Sequence, residues 1–316
     1  MVKFLATSRS FVTVGAVSIL LAACGGGGTG NQSATTSPQT TTTPPAQTNS
    51  VLTNLTVDQV FRASSAVISF DVASDGTTSN VSFGSDAQTA GNTVSYDNGA
   101  GGFNLSVSQN GVAFNQLFGA SAIDSGASDT SFRVYSNTGG DFILLIPGDA
   151  TYGQSYVTLG VWNSDTASST QDITFGALAF GIETAGSSMP STGSATYNGM
   201  TLGTLDAGNR AYRLTGDVQI DVNFASGSVN GAFSNMRQED LLTSGVSNWR
   251  DFTAIGNISA GSSLFSGTAT TNDSALTGGF AGGFYGPVVG APREVGGTWS
   301  LSGSGESAVG SFVGKQ

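Results

Sequence analysis

Side chains able to do covalent or acid–base chemistry are scarce in this chain. Histidine is absent and Cys24 is the single cysteine. That inventory excludes Ser-His-Asp triads, Cys-His dyads, zinc sites of the His/Cys kind and structural disulfides. Carboxylates remain, and glycosidase-like chemistry would have to draw on Glu183, Glu239, Asp240 and Glu306. No two of these have a spacing that turns a pair towards one substrate, so they read as solvated surface. Glu294, which follows Arg293, reads as a structural charge that pairs across strands or caps a turn. No EF-hand or Gly-Asp nonapeptide calcium pattern occurs, and the run Gly303, Ser304, Gly305 lacks the following helix a phosphate loop needs. The expectation is a protein with no cofactor and no enzymatic activity. Recognition is the chemistry left. The segment 235–252 offers Arg237, Trp249 and Arg250 as candidate ligand contacts, because interface hot spots favour Trp, Tyr and Arg. The competing expectation puts Trp249 and Phe252 in a hydrophobic core.

The elements that would position these residues begin with an N-terminal address. Lys3 and Arg9 precede an apolar run at 11–23 (FVTVGAVSILLAA), too short to span a bilayer and typical of a signal peptide. It ends in Leu21, Ala22, Ala23 and Cys24, which resembles the lipobox of bacterial lipoproteins, where the cysteine thiol takes a diacylglyceryl group before cleavage. Cys24 is therefore the expected lipidation site, with several acyl chains making an anchor that one could not. Residue 25 is Gly rather than Asp, which in Gram-negative lipoproteins resembles release to the outer membrane. Residues 24–51 carry no charge and few apolar side chains, so they are expected to be a disordered Gly/Thr/Pro stalk.

Ten Lys plus Arg against 21 Asp plus Glu give a net charge of -11, which argues against nucleic acid or anionic headgroups as partners. The 46 glycines and abundant Ser, Thr and Asn point to many short strands and turns. The fold class expected is all-β. In 218–224 (VQIDVNF) the apolar residues share one face, as in a half-buried strand, and 228–235 returns as its hairpin partner. About eight such strands are expected near 193–202, 216–225, 228–235, 252–258, 264–271, 276–286, 295–302 and 307–314. Eight suits a closed antiparallel barrel filled by its own side chains. Its outer face is Ser, Thr, Asn and Asp, so the barrel is expected to be water-soluble; an open sandwich is the alternative. Less regular strands appear at 66–71, 103–108, 142–146, 156–162 and 173–181. The domains expected are a signal peptide at 1–23, the stalk at 24–51, a β-rich domain at 52–186 and the barrel at 187–316. Residues 236–244 (MRQEDLLTS) are expected as a short helix or long loop between barrel strands.

A resemblance extends this reading over roughly 190–316. The pieces 193–199 (GSATYNG), 258–269, 282–287 (GGFYGP), 294–299 (EVGGTW) and 308–314 (AVGSFVG) resemble, in order and spacing, the β-barrel domain of transferrin-binding protein B and related surface lipoproteins. The resemblance implies an eight-stranded barrel after a sheet-rich handle domain and a lipid anchor at the outer-membrane surface. It also implies binding of a host protein or an iron or haem carrier, accessory to an outer-membrane receptor, with export by a surface lipoprotein assembly modulator. Transferrin-binding protein B has two lobes and this chain has the elements of one. A structural or adhesive lipoprotein without a small ligand is the alternative reading; a carboxylate hydrolase is a third.

Overall fold

Apolar–polar alternation interrupted by Gly, Asn and Asp turns dictates strands and hairpins, and strands are what this chain forms. The computed structural model describes residues 48–316 except 74, 87–90 and 166–170. The signal segment, Cys24 and nearly all of the expected stalk lie outside the described residues. Thr48–Gln316 fall in one compact unit. Among the described residues there is no α-helix, only 3-10 turns at Leu52–Asn54, Ala120–Ala122 and Gly186–Ser188.

The first sheet contains β1 (Gln59–Val72), β2 (Thr78–Asp86), β3 (Thr93–Asp97), β4 (Gly102–Gln109), β5 (Val112–Phe118), β6 (Phe132–Asn137), β7 (Gly140–Leu145), β8 (Val157–Asp165) and β9 (Gln171–Gly181). The spatial order is β5-β4-β3-β1-β9-β8-β7-β6, with β2 also paired to β1. It curls into a half-barrel around its own core. Phe114 of β5 stacks on Trp162 of β8 at 4.2 Å, and Phe118 meets Tyr135 and Phe142 from the opposite end of the sheet. Strand β1 is buried on both faces. Phe61, Ala63 and Val67 point into this core, while Ala66, Ile68 and Phe70 pack with Val309 from the second sheet. A strand covered on both faces reads as a continuous apolar run, which is why the alternation is weak here.

The second sheet contains β10 (Ser194–Ala207), β11 (Arg210–Asn223), β12 (Ser228–Asp240), β13 (Val246–Asn248), β14 (Phe252–Ile258), β15 (Leu264–Thr271), β16 (Thr277–Val289), β17 (Ala291–Gly303) and β18 (Glu306–Lys315). Neighbours run β11-β10-β18-β17-β16-β15-β14-β12, and β11 pairs β12 to close an eight-stranded antiparallel barrel. The expected barrel is therefore present, and closure rules out the open sandwich. Its centre is aromatic: Phe233 stacks on Phe252 at 4.1 Å and meets Phe280, Trp299 and Phe312 edge-on. Each such ring, fully buried, contributes about 1.5–3 kcal/mol by leaving water. Two polar groups carried inside are satisfied there: Trp299 Nε1 donates to Thr201 Oγ1 (2.8 Å) and the Tyr197 hydroxyl to the Pro292 carbonyl (2.9 Å).

Two expectations need correction. Residues 236–244 form neither helix nor long loop: 237–240 continue β12, paired with 212–215 of β11, and turn into the short β13. The stretch 203–215 is mostly strand too, turning at Gly208 and Asn209, both at positive φ. It hides its period because Leu202, facing out, and Leu205, facing in, are both buried.

Glu294 joins the two sheets. Its carboxylate accepts the backbone N–H groups of Ser155 (2.7 Å), Tyr156 (2.8 Å) and Val157 (2.9 Å). This is the structural role expected of it, reaching further than a turn. Burial pushes Glu294 above the usual carboxylate range, against the opposing pull of these three donors and of Lys315. Elsewhere on the interface the Thr78 hydroxyl donates to buried Asp206, Arg62 pairs with Glu183 at 2.5 Å, and the Ser311 hydroxyl donates to the Gly160 carbonyl at 3.3 Å.

Candidate functional site

A bulge in the barrel wall starts the site. Opposite Gly216 alone, β12 places Asn235 and Met236, with Asn235 at a φ of 53°. Such a bulge bends the strand and re-aims the side chains beyond it. Met236 crosses directly over Gly216, where an added Cβ would sit 2.2 Å from its sulfur, so a side chain at 216 would displace it. Beyond the bulge Arg237 is exposed, and Trp249 donates its backbone N–H to the Met236 carbonyl at 2.8 Å.

These residues line a cleft of about 740 Å³ between the barrel wall and the curled sheet. That volume suits a ligand or an inserted side-chain group. From the barrel come Met200 and Leu202 of β10, Arg213 of β11, and Arg237, Trp249 and Asp251; from the curled sheet come Asp129, Phe132, Ile143 and Tyr152. The turn holding Tyr152 is organised by Asp149, which accepts the N–H groups of Tyr152 (2.7 Å), Gly153 (3.1 Å) and Thr151 (3.2 Å) and the Ser131 hydroxyl (2.8 Å). Burial works against that carboxylate's charge, but these donors prevail and hold Asp149 below its ordinary range. Burial and then nearby Asp149 raise the Tyr152 phenol, so it stays protonated at neutral pH and is a hydrogen-bonding group rather than a base.

The charges in the cleft divide into committed and uncommitted. Asp129 accepts the N–H groups of Ser131 and Phe132, Asp217 accepts the Asn235 amide, and Asp251 accepts the Met236 N–H. Arg213 is ion-paired with Glu239. Arg237 makes no ion pair among the described residues. Trp249 stacks on Trp299 at 6.2 Å and meets Phe252 edge-on at 6.4 Å, so part of the ring extends the barrel core. Its Nε1 is buried with no hydrogen-bond partner among the described residues.

The sequence singled out Arg237, Trp249 and Arg250, and the structure brings the first two together in the cleft. Arg250 turns away: its guanidinium is clasped by Glu306 (3.0 Å) and Asp273, tying the loop before β14 to the β15–β16 and β17–β18 turns. Phe252 is core, as the competing expectation had it. Sequence reasoning missed Tyr152, Phe132, Met200 and Leu202. Only the last two left a signal, as apolar residues on the face of β10 that alternation assigns to water. No nucleophile–base pair occurs among the lining residues, and no group of three potential metal-ligating side chains occurs among the described residues.

Residues 189–316 match the family described as the C-lobe and N-lobe beta barrels of Tf-binding protein B. Transferrin-binding protein B of Haemophilus influenzae is 27% identical over 173 residues, taking in 47% of this chain and 26% of the relative. The chain thus spans about a quarter of that relative's length. Among solved structures, a mutant transferrin-binding protein B of Haemophilus parasuis Hp5 aligns with 80% of this chain and 45% of its own, at 16% identity and a TM-score of 0.45. HpuA of Kingella denitrificans, in complex with human haemoglobin, aligns with 85% of this chain and 91% of its own, at 18% identity and a TM-score of 0.40.

Proposed function

We propose that this chain is a non-enzymatic binding lipoprotein, anchored through Cys24 to the outer membrane and exposed at the cell surface, with the curled sheet as handle and the barrel as head. The observation that carries the reading is the cleft, where Arg237 and the Trp249 indole N–H are uncommitted while every lining carboxylate just described is already hydrogen-bonded. The match of 189–316 to a barrel family named for transferrin binding supports a host or carrier protein as partner, with uptake through an outer-membrane receptor. An assembly modulator would deliver the lipoprotein to the surface. A haem-type ligand would need Tyr152 or buried Met200 as its axial group, since the chain has no His. A protein side chain or acidic terminus seated against Arg237 and Trp249 is the simpler occupant, and Arg250 acts by holding the loop in place.

Affinity capture from host serum with the lipidated full chain tests this. Arg237→Glu and Trp249→Ala should each lower capture of the partner about tenfold or more, as hot-spot truncations do. Unchanged capture by both variants, with wild-type melting, would move the site elsewhere. Haem titration followed by absorbance should show no Soret shift specific to the wild type.

A further inference from the structure

Strand β5 is an edge of the curled sheet, and so is β6; β6 is covered by its own preceding loop, whereas β5 is met only at its C-terminal end, by the β6–β7 turn. Asp124 donates its N–H to the Val134 carbonyl at 2.9 Å, Val134 donates to the Ser128 hydroxyl at 3.0 Å, and Ile123 bridges Tyr135. On β5 the Leu117 carbonyl faces away from β4, accepting the Asn137 side-chain amide at 3.1 Å. In an antiparallel pair alternate residues face the same way, so the backbone groups of Ala113 and Asn115 also point outward. Neither makes a hydrogen bond on that side among the described residues. The side chains of Ala113 and Asn115 are exposed, whereas Phe114 and Phe118 are buried in the core.

The strand VAFNQLF carries no charge, no proline and no bulge, and over 112–115 nothing among the described residues pairs with its outer edge. Residues 48–186 hold twelve acidic side chains against Arg62 and Arg133, yet no charged residue lies between Asp97 and Asp124. A second copy of this chain, repelled over most of that acidic surface, meets no like charge at β5. A basic partner would be drawn elsewhere. The strand is also self-complementary. Around a two-fold axis at Phe114, Ala113 of each copy faces Asn115 of the other, and their N–H and C=O groups satisfy one another without using Leu117. From this we infer that β5 is a docking edge for β5 of a second copy, joining two curled sheets into one continuous sheet. A single strand pair buries less area than a standard interface, so the association is weak and reversible in solution and is favoured when copies are held at high local concentration. It uses no residue of the cleft.

Thiol cross-linking of the full-length chain tests the register. Hydrogen-bonded strand pairs hold their Cα atoms about 5.5 Å apart, within disulfide reach. Differently tagged copies carrying Ala113→Cys and Asn115→Cys should, on mild oxidation, give mixed dimers several-fold above two controls. These are Ile255→Cys, an exposed position on the barrel, and the wild-type chain, whose only cysteine is Cys24. In a second arm, Ala113→Cys copies bridged by a short bis-maleimide should lose the dimer when Asn115→Pro is added, because the proline removes an outward N–H while leaving the β4–β5 ladder intact. Melting of that variant should stay close to the parent. Control-level yields, or dimers indifferent to the proline with the fold retained, would overturn the proposal.

Discussion

Two arginines thirteen residues apart in the same hairpin region have opposite fates. Arg250 is fixed between Glu306 and Asp273, whereas Arg237 is exposed at the mouth of the cleft. Residue type alone could not separate them, because the difference is made by acidic residues that only the fold brings near. The interface carboxylates carry their own predictions. Removing Glu294 as Glu294→Ala leaves three backbone N–H groups without an acceptor and should cost about 2–4 kcal/mol. Melting and amide exchange at 155–157 would both report it. Asp206 behaves differently, since burial raises it above its ordinary value and the Thr78 hydroxyl only partly offsets that. Because the folded form holds its proton more tightly than the unfolded form, stability from this group rises as pH falls through the raised value. Asp206→Asn should therefore melt at or above the wild type at pH 7, with the gap closing as pH falls towards the ordinary carboxylate range. A gap that widens on acidification would contradict the assignment. Asp149, held low, has the opposite sign: its contribution is present at neutral pH and is lost as pH falls through its depressed value.

Among the strands, each sheet repeats one device. Trp162 of β8 lies directly opposite Gly176 of β9, and Trp299 of β17 directly opposite Gly310 of β18. In both pairs the indole lies across the glycine backbone, so an added Cβ would meet a ring atom at 2.1 Å and 2.3 Å respectively. Tight curvature needs the bare backbone, and the ring restores the lost burial. Gly310→Ala should destabilise by about 1–3 kcal/mol through overpacking, since Trp299 is held by Thr201 and cannot swing aside. A melting scan would show it, and Thr201→Val in the same chain should soften the effect by freeing the indole. The barrel strands were legible in the sequence wherever one face met water, as in β12 and β14. Burial on both faces weakened the alternation in β1, of which only 66–71 was legible, and hid the far half of β10, whereas β17 and β18, equally covered, were legible from their glycine–aromatic pattern. In 236–244 the pattern was hidden for another reason, because its charged residues pair across strands.

Taken whole, the molecule presses one wall of its barrel against the curled sheet, and the cleft opens where that contact ends. The cleft could not be read from the sequence because its lining residues run from Asp129 to Asp251 and meet only through the docking of two sheets. Residues 187–316 alone should still fold, because the barrel closes on itself, but Met200, Leu202 and Val309 would be uncovered. Circular dichroism of that fragment should show a cooperative β melt at a lower temperature than the whole chain, with increased binding of an apolar dye. A disordered fragment would make the curled sheet an obligatory part of the barrel core. The three tryptophans happen to be divided among these parts: Trp162 inside the curled sheet, Trp299 inside the barrel, Trp249 at the cleft. Each region thus carries its own intrinsic fluorophore. Trp249 and Trp299, stacked 6.2 Å apart, are close enough for their indole transitions to couple, so the circular dichroism of the pair should change when the cleft is occupied, while emission from Trp162 stays constant.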